Sequence, residues 1–221
     1  MPTYNAGCQT SKIICMSDIY VTNREPVHHV FRKRAKINRK KKSISHMETW
    51  HTILPVIDRP YAHWLRTQGS LTLRIQEHCD KFTIHNVQNR MASATYDEAI
   101  LLGLPARQKI YTREVFLYAD NLPVVYAHSV VTAQHLRGPW HALRHLGSRP
   151  LGELLFAHPL VQRSALHFHA TRPNHPLYQR AINGLNILPQ KLWARRSLFI
   201  LHRAPLLVTE IFLPDILNLK K

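Results

Sequence analysis

Residues 206–214 read LLVTEIFLP, an apolar run of strand-forming residues with one carboxylate, Glu210, near its centre. β-Branched and aromatic residues favour strands, so this run predicts a buried β-strand. A carboxylate inside such a strand must be hydrogen-bonded, paired with a cation or protonated, because burying an unpaired charge is costly. Residues 113–119 read REVFLYA and form a second strand-like run, with Arg113 at its start. The two charged residues are therefore candidates for a site that binds a small anionic molecule.

The same two residues also have purely structural interpretations. Alternate side chains of a strand share a face, so Arg113 shares its face with Val115, and Glu210 shares its face with Val208. If both faces pack beneath helices, the two charged groups point into the core. Alternatively, Arg113 is a solvated strand end and Glu210 lies at a sheet edge, or the two residues pair with each other. The spacing alone leaves these interpretations open.

Each of the two runs belongs to a predicted β-hairpin. The first hairpin spans residues 113–131 with a turn at residues 120–123 (DNLP), and the second spans residues 196–213 with a turn at residues 202–205 (HRAP). Strands joined by short turns imply an antiparallel sheet. Helical segments grouped between the hairpins favour the α+β class over alternating β-α-β units.

Shorter segments complete the expected domain. We predict a helix at residues 58–66 with Asp58 as its N-cap, a helix at residues 70–78 capped by Ser70, and a half-buried strand at residues 81–87. Between the hairpins we expect helical segments at residues 140–145 and 151–156, and a Pro- and His-rich loop at residues 167–178.

The bulk composition indicates one basic domain preceded by a leader. The chain has 221 residues and a formal net charge of +17, and residues 1–46 hold ten Lys and Arg but only two acidic residues. We expect residues 1–46 to be a disordered basic leader and residues 47–221 to be the folded domain. A targeting peptide and a nucleic-acid-binding arm are the alternatives for the leader. A basic surface can also steer anionic metabolites toward a cleft.

Other function classes find little support in the sequence. No run approaches the ~18 apolar residues that a membrane span needs. Three cysteines indicate no disulfide framework, which favours a reducing compartment. His141 and His145 are four residues apart on a predicted helix, but no His-Glu-x-x-His string accompanies them, so we expect no metal site. Arg195 and Arg196 could bind an anion or could solvate the start of a strand, and we favour the second interpretation.

Several strings occur in a characteristic order along the chain. They are WL at residues 64–65, GSLT at 69–72, REV at 113–115, AHSVV at 127–131, LGSRPLG at 146–152 with LF at 155–156, and RRS at 195–197 leading to PLLVTEIFLP at 205–214. Taken together over roughly residues 60–214, they resemble the chorismate pyruvate-lyase family. The LGxxPLG and LLxTExFLP strings are specific in that order, although each alone is weak.

The resemblance implies a fold, a reaction and a set of site residues. The fold is a single α+β domain, with helical flaps over an antiparallel sheet and an enclosed ligand pocket. The reaction cleaves chorismate to 4-hydroxybenzoate and pyruvate without a metal or cofactor. The family's motifs make Arg113 and Glu210 the catalytic residues, and Leu71, Arg113, Leu151 and Glu210 the substrate-binding residues. Leu71 stands where the family has methionine, and the segment at residues 157–190 is longer than in the compact members.

The resemblance also bears on partners and location. We expect chorismate as the only partner, with no nucleic acid, a monomeric state, and a cytoplasmic or plastid location. The product would enter quinone biosynthesis or another phenolic pathway. A non-catalytic, sensor-like domain of the same fold that binds a small aromatic acid is the alternative. Residues 1–46 do not resemble the helix-turn-helix domain that such regulators carry.

Overall fold

The computed structural model describes residues 49–57, 59–183, 185 and 188–219. The expected leader and the expected N-cap Asp58 lie outside these residues. Within the part of the chain that is described, no helix is long and apolar enough to cross a bilayer.

Seven strands form one antiparallel sheet, which confirms the predicted α+β class. The strand order is β1-β2-β3-β7-β6-β4, and β5 pairs with β6 next to β4. The strands are β1 (Phe82–Ser93), β2 (Lys109–Ala119), β3 (Leu122–Thr132), β4 (Gln162–Arg163), β5 (His167–Thr171), β6 (Leu192–Leu201) and β7 (Ala204–Phe212).

Both predicted hairpins are present, but their turns are tighter than predicted. The first turn is formed by Asp120 and Asn121 alone, with φ angles of 49° and 68°. The second is formed by His202 and Arg203, with φ angles of 49° and 64°. Two residues with positive φ give the turn whose twist matches that of the flanking strands. Pro123 and Pro205, which were expected in the turns, are instead the second residues of β3 and β7.

The helices agree with the sequence where capping and periodicity were clear. The helices are α1 (Arg59–Leu65), α2 (Leu71–Gln76), α3 (Tyr96–Leu101), α4 (Ala133–Arg137), α5 (Leu151–Ala157) and α6 (Pro176–Ala181), with 3₁₀ turns at His141–His145 and Pro214–Asn218. Ser70 caps α2 as predicted, because its hydroxyl accepts a hydrogen bond from the backbone N–H of Leu73 at 3.3 Å. The expected loop at residues 167–178 was wrong, since β5 and α6 occupy it. Helices α3 and α4 were not predicted.

Helices cover both faces of the sheet. One face, here called the cavity face, includes Val115 and Leu117 of β2, which pack with Leu65 of α1 and Ile75 of α2. Leu155 of α5 belongs to a second cluster on the same face. On the opposite face, the clusters include residues of α3 and α6. Because strand side chains alternate, Arg113 and Glu210 point to the cavity face, and Glu114 points to the other.

The opposite face holds a buried group of charges around His128. Its Nε2 lies 2.9 Å from Glu98 and its Nδ1 lies 3.2 Å from Glu114, and Arg90 and Arg180 also pair with Glu114. Burial alone would lower the pKa of His128, but the two carboxylates outweigh it and raise that pKa. Burial alone would raise the pKa of Glu98, but His128 and the Thr95 cap lower it to about 2. The cluster ties α3 to β2 and β3 behind the cavity.

We expect His128→Gln to lower the free energy of unfolding by about 3 kcal/mol near pH 6, because two buried carboxylates lose their shared partner. A raised pKa in the folded state means that the stabilisation is present below the unfolded value of about 6.5 and is lost as the pH rises through the folded value. The difference in the free energy of unfolding between wild type and variant should therefore shrink as the pH rises from about 6 to about 9.

Urea titrations at about pH 6 and about pH 9 measure this difference, and His141→Gln, at an exposed position, is the control. Equal pH dependence in wild type and His128→Gln would show that the cluster does not stabilise the fold in this way.

Candidate active site

A cavity lies between the sheet and the helices of the cavity face. Of its described lining residues, Arg113, Arg163 and Glu210 carry charged side chains. Most of the remaining lining is apolar, as is usual for sites of small molecules. The other lining residues are Gly69, Leu71, Thr72, Ile84, Val115, Leu117, Ala127, Ser129, Leu151, Gly152, Leu155, Phe156, Phe199 and Val208.

Arg113 is a buried cation without a carboxylate partner among the described residues. Its side chain is held by the backbone, because Nη2 donates to the carbonyls of Gly147 at 3.0 Å and Arg149 at 3.1 Å. Its Nε is buried and has no hydrogen-bond partner in the described part of the chain. Burial lowers the pKa of Arg113 to about 10, and Tyr111 acts in the opposite direction. A buried, uncompensated cation is a good partner for an anion that enters the cavity.

Glu210 is paired, but not with Arg113. Its Oε2 accepts a hydrogen bond from Nε of Arg195 at 2.5 Å, and the two side chains are 16% and 0% exposed. The Nη1 of Arg195 in turn donates to the carbonyl of Thr67 at 2.6 Å. Glu210 is therefore a carboxylate oriented by Arg195, and it remains part of the cavity wall. Arg113 and Glu210 do not form a salt bridge with each other, so that alternative interpretation was wrong.

The expectation that Arg195 and Arg196 solvate the start of a strand was wrong. Both residues lie inside β6, and they are 0% and 8% exposed. Their side chains point to opposite faces. Arg195 holds Glu210 on the cavity face, whereas Arg196 donates to Asp97 at 2.5 Å on the other face and lies over the ring of Trp50. A two-residue turn at His202 and Arg203, had it been predicted, would have placed Arg195 opposite Glu210.

The sheet register sets the distance between Arg113 and Glu210. Arg113 pairs with Ser129 across β2 and β3, and Ser129 pairs with Val208 of β7. Glu210 lies two residues further along β7. Two strand spacings of about 4.8 Å and a two-residue offset place the two Cα atoms roughly 12 Å apart. Both side chains line the cavity.

Leu71 and Leu151 occupy equivalent positions in two short helices. Each is the first residue of its helix, α2 and α5 respectively, and each lines the cavity. The first N–H groups of a helix have no acceptor within it, so these two backbone groups can serve as donors to a ligand. The two helices approach closely at Gly152, where an added Cβ would lie 2.8 Å from Oγ of Ser70. Gly152 ends the LGxxPLG string, but the string does not indicate this contact with Ser70.

We expect Gly152→Ala to displace the Ser70 hydroxyl from its capping position, because the two atoms cannot both fit. The loss of this cap should cost about 1 kcal/mol of stability and should move Leu71 at the cavity wall. Thermal unfolding measures the cost. On a Ser70→Ala background the same substitution should cost much less, because the obstructing oxygen is gone. Additive effects of the two substitutions would refute the contact.

The histidine pair at positions 141 and 145 is not among the residues that line the cavity. His141 and His145 are the two ends of a 3₁₀ turn, and both are exposed. Among the described residues there is no group of three or more His, Cys, Asp or Glu placed to hold a metal ion.

Arg163 was not predicted as a site residue, but it lies in the cavity wall. It belongs to the two-residue strand β4, which is too short to give a sequence pattern.

The chain is similar to one family model and to several curated proteins. The family model described as chorismate lyase matches residues 48–220. A probable chorismate pyruvate-lyase of Nitrosomonas eutropha is 46% identical over 167 residues, which cover 76% of this chain and 94% of the relative. The probable chorismate pyruvate-lyase of Nitrosomonas europaea is 45% identical over 171 residues, which cover 77% of this chain and 96% of the relative.

Among solved structures, the effector domain of PhnF from Mycobacterium smegmatis is similar with a TM-score of 0.49 and 16% identity, over 67% of this chain and 91% of that chain. A likeness of this size carries no argument about function. The family model matches most of this chain, and the matches cover nearly all of each of the two Nitrosomonas relatives: this chain belongs to the chorismate lyase family.

Proposed function

We propose that this protein cleaves chorismate to 4-hydroxybenzoate and pyruvate without a cofactor, as a monomer. The observation that carries the proposal is a cavity with a largely apolar lining that has Arg113, a buried cation without a carboxylate partner among the described residues, in one part of its wall and an oriented carboxylate, Glu210, in another. Membership of the chorismate lyase family and the names of the relatives support the choice of substrate. The relatives are bacterial, which favours a bacterial cytoplasm over a plastid.

The reaction requires the protein mainly to position the substrate. Chorismate is a dianion with one carboxylate on a cyclohexadiene ring and a second on an enolpyruvyl group, which is joined to the ring through an ether oxygen. The bond from the ring to the ether oxygen breaks, and the neighbouring ring carbon, which bears the hydroxyl, loses its hydrogen. The enolpyruvyl methylene gains a hydrogen, so pyruvate leaves. All atoms are conserved, and aromatisation of the ring supplies the driving force.

Arg113 binds the ring carboxylate in this proposal. Its guanidinium is fixed by the carbonyls of Gly147 and Arg149, so little side-chain entropy is lost when the anion enters. Charge-assisted hydrogen bonds from a buried arginine are among the strongest available to a carboxylate. The backbone N–H groups of Leu71 and Leu151 are further donors in the same wall. This anchor places the rest of the ring toward β7.

Glu210 acts at the other end of the ring. The carboxylate, oriented by Arg195, accepts a hydrogen bond from the ring hydroxyl. This contact fixes the ring so that the ether bond and the hydrogen on the neighbouring carbon are aligned for elimination. As the ring becomes aromatic, the hydroxyl becomes a more acidic phenol, and its hydrogen bond to the carboxylate strengthens. The interaction therefore favours the transition state over the bound substrate.

Turnover of chorismate tests the proposal. The purified protein is incubated with chorismate in the presence of EDTA, 4-hydroxybenzoate is quantified by chromatography, and pyruvate is quantified by coupling to lactate dehydrogenase. We expect equal amounts of the two products. Binding of 4-hydroxybenzoate without any turnover of chorismate would favour the sensor-like alternative and overturn the proposal.

A further inference from the structure

Arg163 is the charged residue of the cavity wall that the proposed function has not used. It lies on β4, at the edge of the sheet, where it pairs with Phe199 of β6. The strand order places β7, with Glu210, between the strands that carry Arg113 and Arg163. The three charges therefore lie across the cavity face in the order cation, carboxylate, cation. A ligand that contacts all three would present an anion at each end and a hydroxyl group between them.

The side chain of Arg163 is held in place without a salt bridge among the described residues. Its Nε donates to Oγ of Ser197 at 2.9 Å, and its Nη1 donates to the carbonyl of Gln68 at 2.5 Å. The guanidinium also lies over the rings of Phe156 and Phe199 at 5.7 Å and 5.3 Å. These contacts are made with neutral groups. They orient the cation but leave its charge to be balanced by something else.

Arg163 lies close enough to Glu210 and Arg195 for their charges to affect its pKa. Burial lowers the pKa of Arg163, Glu210 raises it, and Arg195 lowers it. Glu210 already has a close cationic partner in Arg195, so Arg163 is a surplus positive charge beside it. The residue is half-buried, whereas Arg113 is 2% exposed. Arg163 thus belongs to the more open side of the cavity.

We propose that Arg163 binds the enolpyruvyl carboxylate of chorismate, so that each carboxylate of the substrate has its own arginine. This inference rests on the proposed function. With the ring carboxylate at Arg113 and the ring hydroxyl at Glu210, the enolpyruvyl group extends past β7 toward β4. A second carboxylate that entered this cavity without a cation would be buried unpaired, which is costly. After cleavage, the carboxylate of pyruvate remains at Arg163 while 4-hydroxybenzoate stays bound at Arg113.

The experiment compares two ligands that differ in this carboxylate. Chorismate carries the enolpyruvyl group, and 4-hydroxybenzoate does not. For Arg163→Gln we expect kcat/KM with chorismate to fall about tenfold to a hundredfold, which is the loss of one charge-assisted contact. The Kd of 4-hydroxybenzoate, measured by calorimetry, should stay within about threefold of wild type, because this ligand does not reach Arg163. Arg163→Lys should recover part of the loss, since it restores the positive charge but not the planar guanidinium that can donate two hydrogen bonds to one carboxylate.

Arg66→Gln is the matched control. Arg66 is exposed and is not part of the cavity wall, so this variant removes the same charge from the surface. Its kcat/KM should match that of wild type, which separates a contact in the site from general steering by a basic protein. Intact binding of 4-hydroxybenzoate also shows that Arg163→Gln is folded.

The outcomes are distinct. Unchanged kcat/KM in Arg163→Gln would overturn the inference and leave the proposed function standing. A parallel loss of chorismate turnover and 4-hydroxybenzoate binding would also overturn it, because Arg163 would then act by supporting the wall as a whole. A wild-type protein that does not convert chorismate would overturn the proposed function and this inference with it.

Discussion

Glu210→Gln should lower kcat with chorismate by about a hundredfold to a thousandfold, the range expected when a positioned group that stabilises developing charge is removed. The substitution keeps the shape of the side chain but removes the charge that Arg195 orients. The amide then has no fixed orientation toward the ring hydroxyl, and a buried arginine is left unpaired. KM should change less than kcat, because the main anchor of the ring carboxylate, Arg113, is intact. Steady-state kinetics measures both constants.

Glu153→Gln is the control for this substitution. Glu153 lies on α5 with its side chain exposed, so its replacement changes the net charge equally without entering the cavity. Circular dichroism and thermal unfolding establish that Glu210→Gln is folded. Wild-type kcat in a folded Glu210→Gln protein would remove this residue from the mechanism.

Arg113→Gln should lower kcat/KM for chorismate by about a thousandfold, because a bidentate, buried contact to the ring carboxylate is lost. Unlike Arg163→Gln, it should also weaken the binding of 4-hydroxybenzoate, by about a hundredfold, since product and substrate share this carboxylate. Calorimetry with 4-hydroxybenzoate and steady-state kinetics with chorismate measure the two effects. The contrast between the two arginine variants assigns one carboxylate to each residue.

Arg137→Gln serves as the control, because Arg137 is an exposed residue at the end of α4. Arg113→Lys tests whether the bidentate geometry of the guanidinium is needed, and we expect it to recover only part of the affinity that Arg113→Gln loses. If Arg113→Gln bound 4-hydroxybenzoate as tightly as wild type, the ring carboxylate would have to lie elsewhere.

The sequence predicted the hairpins well and their register poorly, for a physical reason. Strand-forming residues identify β2, β3, β6 and β7, but cross-strand partners depend on the length of the turn. A four-residue turn at residues 202–205 would place Glu210 opposite Ser197. The two-residue turn at His202 and Arg203 places it opposite Arg195 instead. The error in the turn therefore hid the ion pair that orients the candidate catalytic carboxylate, and it left Arg195 to be read as a solvated residue.

Other parts of the site depend on tertiary contacts that no local pattern records. The capping signal of Ser70 was readable because it is made within α2. Gly152 matters only because α5 approaches Ser70 from a distant part of the chain. Arg163 lies in the cavity wall because the two-residue strand β4 pairs with β6. A strand of two residues is too short to give a recognisable alternation of polar and apolar residues. Motif strings located Arg113, Glu210, Leu71 and Leu151, and the fold supplied their neighbours.

The most direct test of the central claim, that the cavity between Arg113 and Glu210 is the site of cleavage, is a crystal structure of the protein with bound 4-hydroxybenzoate. We predict one ring within the cavity, with its carboxylate hydrogen-bonded to Arg113 and its hydroxyl hydrogen-bonded to Glu210. A ring bound outside this cavity, or bound inside it with neither contact, would contradict the account.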